Sequence, residues 1–257
     1  MAYTNAELMA VRAAHELHDH EVVFVGIGLP NLACNLARAT HAPNLVLIYE
    51  SGAVGAVPDR LPVSIGDPAL VTGSLAVASM ADIFQCYLQG GRIQVGFLGG
   101  AQVDRYGNIN STVIGSYDHP KVRLPGSGGA CEIAIHAKRV IVVAPLSARS
   151  FPEQVDFITS PGQNGKYGTR KALGLPGLGP VRIVTDVGIL APRESDGELQ
   201  LVAVYPDVEP DQVGQRVGWP LHVAPDLERI PPPTERELYL LRDVLDVHHL
   251  YIGKRDA

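Results

Sequence analysis

The stretch that most constrains this chain is Asn44–Pro62, NLVLIYESGAVGAVPDRLP. Leu45 to Tyr49 form a short continuous apolar run, the pattern of a parallel strand buried on both faces. Glu50 follows at once, and Ser51-Gly52, Gly55 and Pro58 then demand a sharp turn just where the carboxylate emerges. In open α/β sheets ligands bind at the carboxyl ends of the strands, and a carboxylate there is costly to bury unless it has a partner or a chemical task. Two readings stand on this stretch alone. Either Glu50 caps a following helix or pairs with an arginine, or it does chemistry.

With 257 residues, 46% of them hydrophobic, the chain is long enough for one large α/β domain, and residues 1–257 read as a single one. A net charge of −6 without a long basic run argues against nucleic acid or an anionic membrane as partner. The only basic clusters are Lys166 to Lys171 and Lys254–Arg255. No apolar stretch approaches the roughly 20 residues that span a bilayer, and the N-terminus lacks a signal-peptide pattern, so the expected location is the cytoplasm. Cys34, Cys86 and Cys131 are odd in number and widely spaced, which fits free thiols in a reducing compartment better than disulfides or a zinc site. His15, His18 and His20 fall at the end of a first helix, where cations are common for dipole reasons, and no metal site is expected from them.

That first helix opens on the capping box Thr4-x-x-Glu7, with Leu8, Val11 and Leu17 at near-helical spacing. A buried strand is expected over Glu21–Val25, followed by the glycine turn Gly26-Ile-Gly28-Leu-Pro30 and a helix from Asn31 to Arg38. Strand, glycine turn and helix form a generic phosphate-binding layout. Without a third glycine or a GK[ST] sequence it is fold punctuation first, and a backbone contact from Gly28 to a ligand second. A helix is expected over Ala76–Leu88 and a strand over Ile93–Leu98. That strand runs into Gly99-Gly100-Ala-Gln-Val-Asp-Arg-Tyr-Gly-Asn-Ile-Asn110-Ser111, where Gln102, Asp104, Asn108 and Asn110 either serve a ligand or bond their own turn. Gly126-Ser-Gly-Gly-Ala130 is a third glycine-rich turn, whose N–H groups are able to hold an oxyanion or a phosphate. It leads into a helix and the β-branched run Val140–Val143. Val155–Gly162 and Val181–Val184 with Leu199–Tyr205 read as strands and links of the later half. A hairpin is expected between Arg182–Val184 and Leu199–Val204, so part of the sheet is antiparallel. Thr234-x-x-Glu237 is a second capping box, opening a final helix over about 234–247.

Several motifs in order carry a resemblance: GxGLP at Gly26 to Pro30, ESG at Glu50 to Gly52, GGAQVDRYGNINST at Gly99 to Thr112, His119-Pro120, GSGGA at Gly126 to Ala130, and DFITSPG at Asp156 to Gly162. The chain resembles the B-type (beta) subunit of class I coenzyme A transferases, and within that family it is most similar to the B-type subunit of glutaconate CoA-transferase. The resemblance implies an α/β fold with a mostly parallel sheet flanked by helices, of the CoA-transferase (NagB/RpiA-like) type. It implies that Glu50 is the nucleophile that attacks an acyl-CoA thioester, with ping-pong kinetics through a glutamyl–CoA thioester. Gly128, Gly129 and Ala130 are then the candidate oxyanion donors, and Gln102 and Asn108 the candidates for orienting the acyl group or CoA. Coenzyme A is a substrate, and no cofactor is held permanently. A separate A-type subunit is expected to complete the site, as an A2B2 heterotetramer. The substrates are acyl-CoA and carboxylic acids, a dicarboxylic acid by similarity, for which Arg60, Arg105 and Arg123 are the local cations unless the companion supplies one. Ala53 to Arg60 departs from the glutaconate pattern. Two other functions fit less of the chain. One is an acyl-CoA hydrolase or C–C lyase on the same fold, which would need no second acid. The other is a non-catalytic CoA-binding subunit, which would gain nothing from a carboxylate facing an anionic ligand.

Overall fold

The computed structural model describes residues 2–253, so the Lys254–Arg255 pair lies outside it. The chain divides into two compact units, Met1–Phe97 with Pro232–Ala257, and Leu98–Pro231.

The strands of the first unit are β1 (Val22–Phe24), β2 (Val46–Ile48), β3 (Ala53–Val54), β4 (Ala76–Val77) and β5 (Val95–Leu98). β1 lies between β2 and β5 and runs parallel to both. β3 and β4 continue from β2 as an antiparallel ribbon. Their apolar side chains, Val23, Leu47, Ile48 and Val95 among them, are fully buried, as two-sided parallel strands require. The Val25 N–H reaches the Ile48 carbonyl at 3.0 Å, so the carboxyl ends of β1 and β2 stand side by side. Helix α1 (Asn5–His15) is closed by the Thr4 capping box, and α2 (Leu29–Ala39) follows β1. α1 is buried nearly all round, with Leu8, Val11, Ala13 and Ala14 inside. Each large apolar side chain so buried contributes about 1.5–3 kcal/mol.

The C-terminal helix Glu235–Tyr239, extended by a widened π turn over Leu240–Leu245, returns to pack in this unit. The two capping-box glutamates are used twice. Glu7, third residue of α1, takes a bidentate ion pair from Arg242 of the C-terminal helix. Glu237, third residue of that helix, bonds His15 at the end of α1 at 2.5 Å. His15 is therefore a clasp residue. Among the described residues there is no group of three or more His, Cys, Asp or Glu able to hold a metal ion.

Ala76–Leu88 departs from the expected single helix. Ala76 and Val77 are strand, paired with Val54 and Ala53, and the helix begins at Met80, α3 (Met80–Asp82), widening into a π turn over Ile83–Leu88. The box Ser79-x-x-Asp82 fixes that start, because the Ser79 hydroxyl accepts the Asp82 N–H at 3.1 Å.

The second unit carries two small hairpins, β6 (Gln102–Val103) with β7 (Ile109–Asn110) and β8 (Val113–Gly115) with β9 (Pro120–Arg123). Helix α4 (Ala130–His136) leads into β10 (Arg139–Val143). β11 (Pro180–Val184), β12 (Gly188–Pro192), β13 (Leu199–Val204) and β14 (His222–Arg229) follow. β10 pairs with β11 and β13 with β14 in parallel, while β12 is antiparallel to both its neighbours. β12 therefore stands between the two segments expected to form one hairpin. The chain turns early because the Thr185 hydroxyl takes the Val187 and Gly188 N–H groups and donates to the Gly188 carbonyl. Val155–Gly162 is not a strand beyond a bridge between Ile109 and Ser160. Its Asp156 and Gly162 N–H groups bond the side chains of Gln102 and Asn108 instead of a neighbouring strand. The α/β class read from the sequence is the class that forms. Among the described residues, no helix is long and apolar enough to cross a membrane.

Candidate active site

In the first unit the carboxylate foreseen as nucleophile sits on the tip of the β2–β3 hairpin. Tyr49 is fully buried and Glu50, the next residue, is half-exposed. The tip is closed by Tyr49 N–H to Ala53 and Gly52 N–H to Tyr49, both at 3.0 Å. Gly52 holds φ at +115°, and a Cβ there would lie 2.0 Å from the Ala78 carbonyl oxygen, so only glycine lets the end of β4 press on the turn. No helix follows Glu50 to be capped. Among the described residues its carboxylate has neither a hydrogen bond nor an ion pair. A half-exposed carboxylate presented on a rigid turn without a partner is a group available for nucleophilic attack.

Tyr49 is anchored from α2. Asn31 Nδ2 donates to its hydroxyl at 2.6 Å, and Asn35 Nδ2 donates to Asn31 Oδ1 at 3.0 Å. Burial pushes the Tyr49 phenol well above its ordinary value. Gly28, expected to offer its backbone to a ligand, lies near the Tyr251 hydroxyl, whose pKa burial raises and the Gly28 backbone lowers. That hydroxyl donates to the Pro62 carbonyl, tying the C-terminal segment to the loop that follows the nucleophile turn. The segment is itself held by Asp246, which accepts the Leu250, Tyr251 and Ile252 N–H groups. Arg60 is committed to Asp67 through two bonds of 2.7 and 2.8 Å, and this pair, with the Val63 and Ala69 N–H groups, holds the Asp67 carboxyl well below the carboxylate range. Its guanidinium therefore serves the loop.

In the second unit the polar cluster after Gly100 is a self-satisfied scaffold. Asp104 accepts the Tyr106 and Asn108 N–H groups and the Asn108 amide at 3.0–3.1 Å. Burial nonetheless raises its pKa, against the lowering effect of those bonds. Asn108 also donates to the Asn164 carbonyl and accepts the Gly162 N–H, both at 2.8 Å. Gln102 accepts the Asn110 amide and the Asp156 N–H and donates to the Asp156 carboxylate. The structure thus spends both amides on positioning the 153–164 segment. Arg105 pairs with Glu153 and Glu198, and Arg123 lies over the Tyr117 ring, which stacks on Phe157.

The GSGGA turn divides in use. The Ala130 N–H is donated to the Ser127 carbonyl at 2.9 Å, so it is not open to an oxyanion. Among the described residues the Gly128 and Gly129 N–H groups have no such acceptor, and Gly128 is exposed. A cavity of about 810 Å³ that the sequence did not signal opens in this unit between Arg105, Tyr106, Asp156, Phe157, Lys166 and Tyr167. Its charges are mixed: Arg105 and Lys166 share the lining with Asp156 and Glu153, and Glu153 pairs with Arg105.

Comparison with known proteins adds a family to this geometry. The profile described as Coenzyme A transferase matches residues 6–216. The B-type subunit of 3-oxoadipate CoA-transferase from Pseudomonas knackmussii is 51% identical over 241 residues, covering 94% of this chain and 93% of its own. The B-type subunit of glutaconate CoA-transferase from Acidaminococcus fermentans is 37% identical over 255 residues, covering 97% and 95%. The crystal structure of glutaconate coenzyme A-transferase from that organism superposes with a TM-score of 0.91 at 35% identity, over 98% of both chains. The decarboxylase AibA/AibB superposes with a TM-score of 0.83 at 27% identity, over 97% of both. The sequence is thus more alike to the 3-oxoadipate relative than to the glutaconate relative singled out from its motifs.

Proposed function

The chain belongs to the coenzyme A transferase family, and on that premise we propose that it is the B-type subunit of a heteromeric acyl-CoA:carboxylate CoA-transferase with Glu50 as nucleophile. Its acid is a dicarboxylic acid of the 3-oxoadipate kind in preference to glutaconate, following the higher identity to the 3-oxoadipate relative. The observation that carries the reading is Glu50 itself, half-exposed, unpartnered among the described residues, and fixed on a turn that only Gly52 permits.

The chemistry follows from a free carboxylate. A Glu50 oxygen attacks the thioester carbonyl and CoA thiolate leaves, giving an acyl–glutamyl anhydride. The thiolate attacks the glutamyl carbonyl and the donor acid leaves, giving a glutamyl–CoA thioester. The acceptor carboxylate attacks that carbonyl and releases the thiolate. The thiolate then attacks the new acyl carbonyl and frees Glu50. Every intermediate is an activated acyl group of similar energy, so CoA changes hands without ATP. Each addition creates an oxyanion that needs N–H donors. Of the glycine-turn candidates Ala130 drops out, because its N–H is already donated, which leaves Gly128 and Gly129 as the expected donors. Gln102 and Asn108 act indirectly, by holding the segments around them. Coenzyme A is a substrate, and no resident cofactor is invoked.

The companion is an A-type subunit, since both transferase relatives carry the B-type designation in their names, and the assembly proposed is two of each. The test is to co-express the two chains, weigh the complex, and assay acyl-CoA donors against 3-oxoadipate and glutaconate. Transfer that depends on the acceptor and favours 3-oxoadipate supports the reading. Steady release of CoA without an acceptor moves the function to hydrolysis on the same fold.

A further inference from the structure

Asn31 is the third residue of α2, with no side-chain exposure, yet it makes no contact that α2 itself needs beyond Asn35. In both bonds to Asn35 it accepts, and its own amide N–H is donated to the Tyr49 hydroxyl at 2.6 Å. A fully buried tyrosine carrying a hydroxyl is a costly choice beside Phe unless the hydroxyl has work, because a buried polar group must be paired. The placement suggests what that work is. Tyr49 is the last residue before the nucleophile, and its own N–H and carbonyl close the turn that carries Glu50. On the other side the Ala78 N–H pins the turn, reaching the Gly52 carbonyl at 2.9 Å.

Resting on the nucleophile reading above, we propose that Asn31 and Tyr49 are positioning residues for Glu50, the Asn31–Tyr49 hydrogen bond fixing the turn to the first helical turn of α2. Glu50 lies between Tyr49 and Gly52, and the Gly52 N–H is donated to the Tyr49 carbonyl, so locking the Tyr49 ring and hydroxyl into the core fixes the near end of the turn that carries the carboxylate. Asn35 holds the Asn31 amide in the orientation that donates to Tyr49. An error of about 1 Å in a reacting group costs about 100-fold in rate, so a single bond at this point has leverage on the chemistry without touching substrate.

The test compares wild type, Tyr49→Phe, Asn31→Ala and the double variant, each co-expressed with the A-type subunit. Each is mixed with acyl-CoA in the absence of acceptor and quenched over time, and the mass adduct at position 50 is followed, alongside KM, kcat and melting temperature. Tyr49→Phe removes one oxygen and keeps the ring, so it reports even where Asn31→Ala folds poorly. The expected result is adduct formation slowed about 10- to 100-fold in each single variant, with KM for acyl-CoA within about twofold of wild type. The double variant should be no slower than the slower single one, because both changes cut the same bond. Wild-type rates in a folded Tyr49→Phe protein, or a double variant whose losses multiply, overturn the positioning role alone. A wild-type complex that turns over but never carries an adduct on Glu50 overturns the nucleophile reading, and the positioning role with it.

Discussion

The Asn31 amide nitrogen stands 2.6 Å from the Tyr49 hydroxyl, joining the first turn of α2 to the residue that precedes Glu50. The parallel pairing of β1 and β2 makes that contact available, since it brings the strand feeding α2 beside the strand feeding the Glu50 turn. The site of the first unit is thus built from two consecutive β-strand ends, and its geometry should answer to changes in the turn more than to changes elsewhere.

Gly52→Ala is the sharpest such change. Its Cβ would lie 2.0 Å from the Ala78 carbonyl oxygen at a φ of +115°. The turn has to shift, and Glu50 with it. We expect kcat to fall about 100-fold with Glu50 intact, whereas Gly214→Ala, where a methyl meets nothing within 4 Å, leaves kcat unchanged. Steady-state kinetics on the two variants decide the matter.

The reciprocal clasp of α1 and the C-terminal helix should show in stability and in its pH dependence. Arg242 and Glu7 are both nearly fully buried, so Glu7→Gln removes the anionic partner of a buried cation and should cost about 3 kcal/mol. Burial alone would raise the Glu7 pKa, but the Arg242 and Thr4 hydrogen bonds outweigh it and hold the carboxyl below its ordinary value. A carboxylate depressed by folding contributes stability above its unfolded value, about pH 4.3, and loses it as pH falls through the folded one. The gap in melting temperature between wild type and Glu7→Gln should be full at pH 7 and shrink in acid. A gap that grows in acid contradicts the assignment.

Arg170 carries a third expectation. Its guanidinium is buried, pushed down to about 10 by desolvation, and donates to the Ala134, Pro161 and Gly177 carbonyls at 2.8–3.0 Å. It meets the carboxyl end of α4, where a cation suits the dipole. Lysine has no planar fork for three separate carbonyls. Arg170→Lys should therefore lower stability by about 3 kcal/mol, read by denaturant unfolding. Lys166→Ala, four residues away on the same basic run, should cost less than about 0.5 kcal/mol.

That pair also marks where the sequence was legible and where it was not. Thr4-x-x-Glu7 and Thr234-x-x-Glu237 gave true helix starts, because a capping box is a local interaction and needs nothing distant. The β-branched runs at Val22–Phe24, Val46–Ile48 and Arg139–Val143 gave the strands for the same reason. Glu50 stood out as a candidate because a carboxylate between a buried strand and a glycine turn is costly to bury without a partner or a task. The Gln102 and Asn108 bonds to Asp156 and Gly162 were not legible, since those partners lie about fifty residues on and spacing carries no sign of them. Arg170 sat in the Lys166–Lys171 basic cluster, and only tertiary structure separates it from Lys166 and Lys171. β14 was missed because Pro225 and its mostly exposed side chains disguise an edge strand. Tyr49 read simply as the end of an apolar run, and nothing in the sequence ties it to Asn31.

The most direct measurement is the mass of the Glu50 peptide. The complex of this chain with its A-type companion is incubated with acyl-CoA and no acceptor, trapped with hydroxylamine or borohydride, digested and mapped. The expected result is modification confined to Glu50 and absent from Glu50→Ala, whose transfer activity is lost. An unmodified Glu50 in a complex that still moves or releases CoA contradicts it.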